Sequence, residues 1–273
     1  MRVLFLGDIV GRSGRTAVID QLPALKTKLA ADMVILNGEN AAGGFGITEK
    51  IADDLYAAGA DCITTGNHVW DQRQILGHID REPRLLRPAN FPAGTPGRGA
   101  SLISLVDGRQ VLVINVMGRI YMDPLDDPFA AVDAALGEIR LGESVDAIVV
   151  DVHAEASSEK MAMAHYLDGR VSFVVGTHTH VPTADAQILP GGTAYQTDAG
   201  MCGDYLSVIG MKPDEPVRRF TTKMSGGRFE PAEGEATLCG VVVDIHDRTG
   251  LARKVSPVRI GGRLAAQVPE VIG

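Results

Sequence analysis

Asp8, Glu39-Asn40, Asn67-His68, His153 and His178-Thr179-His180 are the side chains in this chain best suited to hold a metal ion. Each group follows a short apolar run. Imidazole nitrogens with carboxylate and amide oxygens make an N/O donor set, which suits iron, manganese or zinc. A carboxylate such as Glu39 can bridge two cations. Two ions about 3.5–4 Å apart can clamp the attacking and leaving oxygens of a phosphoryl displacement. If residues 178–180 are extended, His178 and His180 project on one side, because side chains repeat every two residues along a strand. Residue chemistry alone therefore reaches a dinuclear hydrolase of a phosphate ester.

Taken singly, each group has a plainer reading. Asp8 suits a turn, Asn67 suits a helix cap, and His153 suits a satisfied interior histidine. What needs explaining is that all of them fall at the carboxyl ends of expected strands, where open α/β sheets bind their ligands. The expected strands are Val3–Leu6, Met33–Leu36, Cys62–Thr65, Ala147–Val152 and Ser172–Val175. Helices are expected at Arg12–Leu29, from Thr48, in a short stretch from Asp71, at Phe129–Leu141 and at Ser157–Leu167. The opening β-α-β-α-β order implies a parallel sheet covered by helices on both faces. Asp107-Gly108 and Pro190-Gly191-Gly192 mark hairpins. Further strands are expected at Gly240–His246 and Leu251–Val258. With no repeat or clear linker, residues 1–273 read as one α/β domain of mixed sheets.

The chain has 273 residues, 45% of them hydrophobic, with 26 basic and 34 acidic side chains and a net charge of −8. Disorder is excluded by the apolar share. The acidic balance disfavours duplex DNA and anionic membranes as partners. It does not disfavour a small phosphodiester whose charge a metal could meet. The apolar start is broken by Asp8 too early for a secretory segment, and no apolar run is long enough to span a bilayer. Cys62, Cys202 and Cys239 are odd in number and widely spaced, so a reduced, cytoplasmic setting is expected. The oligomeric state is left open, a homo-oligomer included.

In order, placement and spacing, Asp8, Gly38-Glu39-Asn40, Gly66-Asn67-His68, His153 and Gly176-Thr177-His178-Thr179-His180 resemble the five motifs of the calcineurin-like metallophosphoesterases. Gly7-Asp8-Ile9-Val10-Gly11, Asp151-Val152-His153-Ala154-Glu155-Ala156 and the run from Gly176 to Gly203 resemble one bacterial branch, the YmdB-type 2′,3′-cyclic nucleotide phosphodiesterases. Three positions depart from the broad superfamily. Val10 stands where a histidine is usual, Glu39 where an aspartate is usual, and Val69 where an acid usually follows Asn-His. The first two departures fit the branch, in which Glu bridges and the next Asn replaces the missing His. The third leaves His68 needing some other partner.

The resemblance implies a metallophosphoesterase fold, with mixed sheets sandwiched between helices, and two divalent or trivalent ions, iron first and manganese or zinc otherwise. It implies Asp8, Glu39, Asn40 and His180 around one ion, and Glu39, Asn67, His153 and His178 around the other. It further implies attack by a metal-bridged hydroxide on a 2′,3′-cyclic nucleotide or similar small diester. His68, not a ligand, would be the proton donor to the leaving oxygen.

A different class of function also fits the ligands: a regulatory protein binding nucleotides or RNA ends with little turnover. A nuclease acting on long RNA is disfavoured by the negative charge. Arg119 reads as a surface ion pair before a phosphate contact, and Asp198 as a turn residue or a support behind the histidines. Gly43-Gly44 reads as a turn before a phosphate cradle. Phe45 and Trp70 read as core packing or as base-stacking groups. His78, His165 and His246 read as structural or surface residues.

Overall fold

The structure, a computed structural model, describes residues 1–269. In chain order the strands are β1 Arg2–Leu6, β2 Asp8–Ile9, β3 Met33–Asn37, β4 Cys62–Thr64, β5 Ala100–Ser104, β6 Gln110–Met117, β7 Ala147–His153, β8 Phe173–Thr177, β9 Gln187–Ile188, β10 Ala194–Gln196, β11 Met201–Asp204, β12 Ala236–Ile245 and β13 Ala252–Ile260. The α-helices are α1 Gly11–Leu29, α2 Glu49–Ala57, α3 Leu76–Ile79, α4 Pro128–Leu136, α5 Ser157–Tyr166 and α6 Asp214–Thr222. One sheet runs β2-β11-β12-β1-β3-β4, with β13 on the other edge of β12; the second runs β5-β6-β7-β8-β10-β9.

Alternation along the strands sets the layers. In β1, Leu4 and Leu6 pack with Val18, Leu22 and Leu25 of α1, while Val3 and Phe5 pack against Val113, Val149 and Val175 of the second sheet. In β7, Ala147 and Val149 face the first sheet, while Ile148, Val150 and Val152 join Val132 of α4 and Met163 of α5. The result is helix, sheet, sheet, helix.

The expected helices on both faces of the first sheet are therefore corrected. Strands β1, β3 and β4 are laid down in one direction across the sheet. Right-handed crossovers of that kind place successive helices on the same face. The second sheet covers the other face.

Elements follow the sequence pattern closely. Thr48 caps α2 by accepting from Ile51 N at 3.3 Å. Pro23 lies inside α1 on its solvent side. The stretch after Asp71 is a 3-10 turn, Arg73–Ile75, followed by α3. Sequence reading missed β2, β11 and α6. The two strands are very short, and α6 buries only Pro216 of its own residues, so its sequence carries almost no core stripe. The three cysteines are free and buried. Among the described residues no helix is long and apolar enough to cross a membrane.

Candidate metal centre

Both sheets contribute to one rim. In β7 the face toward the first sheet continues from Ala147 and Val149 to Asp151 and His153; in β8 it continues from Phe173 and Val175 to Thr177. His153 and Thr177 are register partners. Opposite them, Asp8 opens β2, Glu39 follows β3, and Asn67-His68 follow β4.

The structure brings the expected ligands together. Glu39, His153 and His178 offer donor atoms all within 4.8 Å of one another. His153 Nε2 lies 3.0 Å from Glu39 Oε1 and 3.0 Å from Asn67 Oδ1, and 3.1 Å from His178 Nδ1. His180 Nε2 lies 3.8 Å from Asp8 Oδ1. Asn40 lines the same cavity as Glu39, His178 and His180. Glu39, Asn67, His153 and His178 thus share one set of contacts, and His180 lies beside Asp8.

Three observations test whether cations fit. Asp8 Oδ1 and Asn40 Oδ1 are buried and have no hydrogen-bond partner among the described residues. Such oxygens are costly unless something else satisfies them. The far nitrogen of each candidate histidine is occupied. His153 Nδ1 meets Thr177 Oγ1 at 2.9 Å, His178 Nε2 meets Glu155 Oε2 at 3.2 Å, and His180 Nδ1 meets the Ile209 carbonyl at 2.8 Å. Outer partners of this kind aim the other nitrogen of a ligating histidine at its ion. Gly66 closes the floor, where a Cβ would overlap His153 and Glu39 Oε2. The donors fit a bound metal cation.

Without cations the charges compensate one another. Burial pushes the Asp8 carboxyl up to about 6, against the pull of His180 and His153. Burial would raise Glu39 as well, but the charge and hydrogen bond of His153 hold it at about 2. Burial opposes a charge on His153, yet Glu39, Asp8 and Asp151 raise it to about 9. Burial, and then the charge of His153, push His178 down to about 3.

The loop carrying two of the histidines is not extended. His178 has φ 92° and His180 φ 66°. This corrects the expectation of two rings side by side on a strand. The chain turns after β8, so His178 reaches His153 while His180 reaches Asp8. Positive φ at a non-glycine residue costs about 1–3 kcal/mol and persists only where the surroundings hold it. Here the His178 amide donates to Asp8 Oδ2 at 3.2 Å, and the Tyr205 hydroxyl donates to the His180 carbonyl at 3.1 Å. Asp198 Oδ2 accepts from Thr179 N at 3.2 Å and from Thr179 Oγ1 at 2.7 Å.

His68 stands apart from the donor cluster. Its amide donates to Glu39 Oε2 at 3.1 Å, and its Nδ1 meets Asp71 Oδ2 at 2.8 Å. The acid absent at Val69 is supplied three residues after the histidine. Sequence reading gave no role of their own to Asp71, nor to Asp151, Thr177 and Lys160 behind the site. Asp151 and Thr177 were findable, since each shares a strand face with a neighbouring site residue.

Other candidates resolve simply. Arg119 lies 3.6 Å from Asp127 Oδ2. Gly43, Gly44 and Gly46 all have positive φ and form a turn against Met211 and Pro231. Trp70 packs edge-on to Phe91, whereas Phe45 lines the cavity and meets His68 edge-on at 5.0 Å.

Residues 4–258 match the model of a family described as YmdB-like protein. The chain belongs to the YmdB-like family. It is 50% identical over 260 residues to a Bacillus subtilis protein named 2′,3′-cyclic-nucleotide 2′-phosphodiesterase, with 95% of this chain and 97% of that one covered. A solved structure of a hypothetical protein from Thermus thermophilus superposes with TM-score 0.89 at 45% identity, covering 96% of this chain and 100% of that one. A Mycoplasma pneumoniae structure described as a novel phosphatase gives TM-score 0.88 at 35% identity, covering 96% and 93%. The YmdB-like chain thus has the metallophosphoesterase fold.

Proposed function

We propose that this YmdB-like protein is a metal-dependent phosphodiesterase that hydrolyses 2′,3′-cyclic nucleotides at the bond to the 2′ oxygen. The observation that carries the reading is a cavity lined by Glu39, Asn40, His178 and His180, with Asp8 and His153 in contact with these residues behind it, Asn67 against His153, and His68 at the same cavity outside the donor cluster. The name of the Bacillus subtilis relative supports the substrate and the bond. The reading takes residues 1–273 as one domain, because both sheets supply the site.

Asp8, Glu39, Asn40 and His180 would hold one ion, and Glu39, Asn67, His153 and His178 the other. When bound, iron, manganese or zinc would neutralise the diester's charge and make water a stronger nucleophile. The protein's own part is to present these donors already aimed. In the net reaction a water oxygen joins phosphorus and the P–O2′ bond breaks, leaving a 3′-phosphate. His68 gives its Nε2 proton to the departing O2′, and Asp71, on Nδ1, steadies the ring. A protein that only bound nucleotides would have no use for a histidine paired in this way.

The test is turnover of 2′,3′-cyclic AMP by metal-loaded and chelator-treated protein, with products identified by position of phosphate. The expected result is metal-dependent release of adenosine 3′-phosphate. His68→Ala should be slower by roughly 10²–10⁴-fold with its metals retained. Absence of turnover with both sites filled would refute the reading.

A further inference from the structure

The cavity above the donor cluster has a volume of about 500 Å³ and two unlike halves. One is the polar floor of Glu39, Asn40, His68, His178 and His180. The other is a wall of Phe45, Met211, Phe220 and Phe229, with Arg219 and Lys223 among its lining residues. A floor that binds a small diester has no need of an aromatic wall. Resting on the cyclic-nucleotide reading above, we infer that the apolar half is a nucleobase subsite, which grips the base by its face and not by its hydrogen-bonding edge.

Two features support face recognition. The wall is preformed: Phe45 is fixed edge-on to His68, and the Arg219 guanidinium sits 3.9 Å over the Phe229 ring. Phe220, at the same cavity, is 75% exposed, an apolar ring left for something to cover. Stacking on such rings tolerates any base, because every base has a π face.

Two features argue against edge reading. Among the described residues, the only polar side chains of the lining apart from the floor are Arg219 and Lys223. Both are donors, so the wall offers no side-chain acceptor for an exocyclic amino group. Arg219 is already committed, with Nε on Glu215 Oε1 at 2.7 Å and one terminal nitrogen on the Gly227 carbonyl at 2.7 Å. The enzyme should therefore accept all four bases, with purines favoured by their larger face. Selectivity should lie between nucleotides and diesters without a base.

The test compares steady-state constants for the four 2′,3′-cyclic nucleotides and for methyl riboside 2′,3′-cyclic phosphate, which lacks a base. The expected KM for the baseless diester is roughly tenfold or more above that for 2′,3′-cyclic AMP. The four nucleotides should fall within about tenfold of one another. Phe220→Ala, at an exposed position, should narrow the gap between nucleotide and baseless diester by raising the nucleotide KM. Equal KM values with and without a base, or a hundredfold preference between adenine and guanine, would overturn the subsite. Calorimetric binding of adenosine 3′-phosphate and ribose 3-phosphate to metal-loaded protein reads the subsite without turnover. If no diester is hydrolysed, a base-dependent gain in affinity that Phe220→Ala removes would still establish it, and equal binding of the two would refute it.

Discussion

Thr177 and His153 sit side by side at the ends of parallel strands, and the hydroxyl of one orients the ring of the other. Thr177 Oγ1 donates to Asp151 Oδ1 at 2.7 Å, so the same oxygen is left to accept from His153 Nδ1 at 2.9 Å. Asp151 is buried, also accepts from Thr64 and Asn37, and its carboxyl is pushed up by that burial. The relay turns His153 Nε2 toward Glu39 and Asn67. Thr177→Val keeps the shape and removes the hydroxyl. Metal affinity should drop about 10–100-fold, and stability by about 1–3 kcal/mol for the unpaired groups. Thr177→Ser should keep both. Elemental analysis and thermal melts check this, and a fully metallated Thr177→Val would refute the relay.

A second relationship holds the histidine loop. Lys160 and Asp198 form a buried ion pair at 2.8 Å, and the same Asp198 oxygen clamps Thr179 between the two strained histidines. Removing one partner of a buried pair strands a charge and costs about 3–5 kcal/mol. Lys160→Met and Asp198→Asn should each approach that loss in urea unfolding. The double variant should lose much less than their sum. Strictly additive losses would show that the two residues act independently.

Much of this site is legible in the sequence because ligands at strand ends inherit their position from apolar runs, which are easy to read. Asp8, Glu39, His153 and His178 needed only the strands. What stayed hidden depends on contacts between sheets. Asp151 and Lys160 look like ordinary charged residues until burial shows what they face. The same holds for α6, whose Phe220 faces the cavity and solvent instead of a core. The two-sided helix expectation failed because strand order, not local pattern, decides which face a crossover covers.

Asp71 should matter to chemistry and not to metal content. It touches His68 Nδ1 and is partly exposed. Asp71→Asn should lower kcat on 2′,3′-cyclic AMP by less than the roughly 10²–10⁴-fold expected when His68 itself is removed. A diester with a p-nitrophenolate leaving group should be affected less, since it needs little protonation. A loss of metal in parallel with rate would instead make Asp71 part of the ligand support.

Gly66 has no room for a side chain, because a Cβ would overlap His153 and Glu39 Oε2. Gly66→Ala should cost about 1–3 kcal/mol through forced displacement. It should also lower the occupancy of the ion assigned to Glu39, Asn67, His153 and His178. A melt within error of the parent, together with full metal content, would show that His153 can move aside freely.

Asn40 carries the argument about the missing histidine at Val10. Its Nδ2 donates to the Gly44 carbonyl at 3.0 Å, which ties the glycine turn to the site. Its Oδ1 is buried with no partner among the described residues, beside a cavity shared with Glu39 and His180. The turn role and the ligand role use different atoms of one amide, so a single substitution confounds them. Asn40→Ala should abolish the ion assigned to Asp8 and His180 and leave the other, so that titration shows about one tight site instead of two. Activity should be largely lost, since a two-metal displacement needs both ions. Asn40→Asp keeps an oxygen donor but cannot donate to Gly44. It should retain two sites while melting slightly lower, as expected for about 1 kcal/mol of lost hydrogen bonding. Two undiminished tight sites in Asn40→Ala would remove Asn40 from the ligand set, and one site in both variants would assign the effect to the turn.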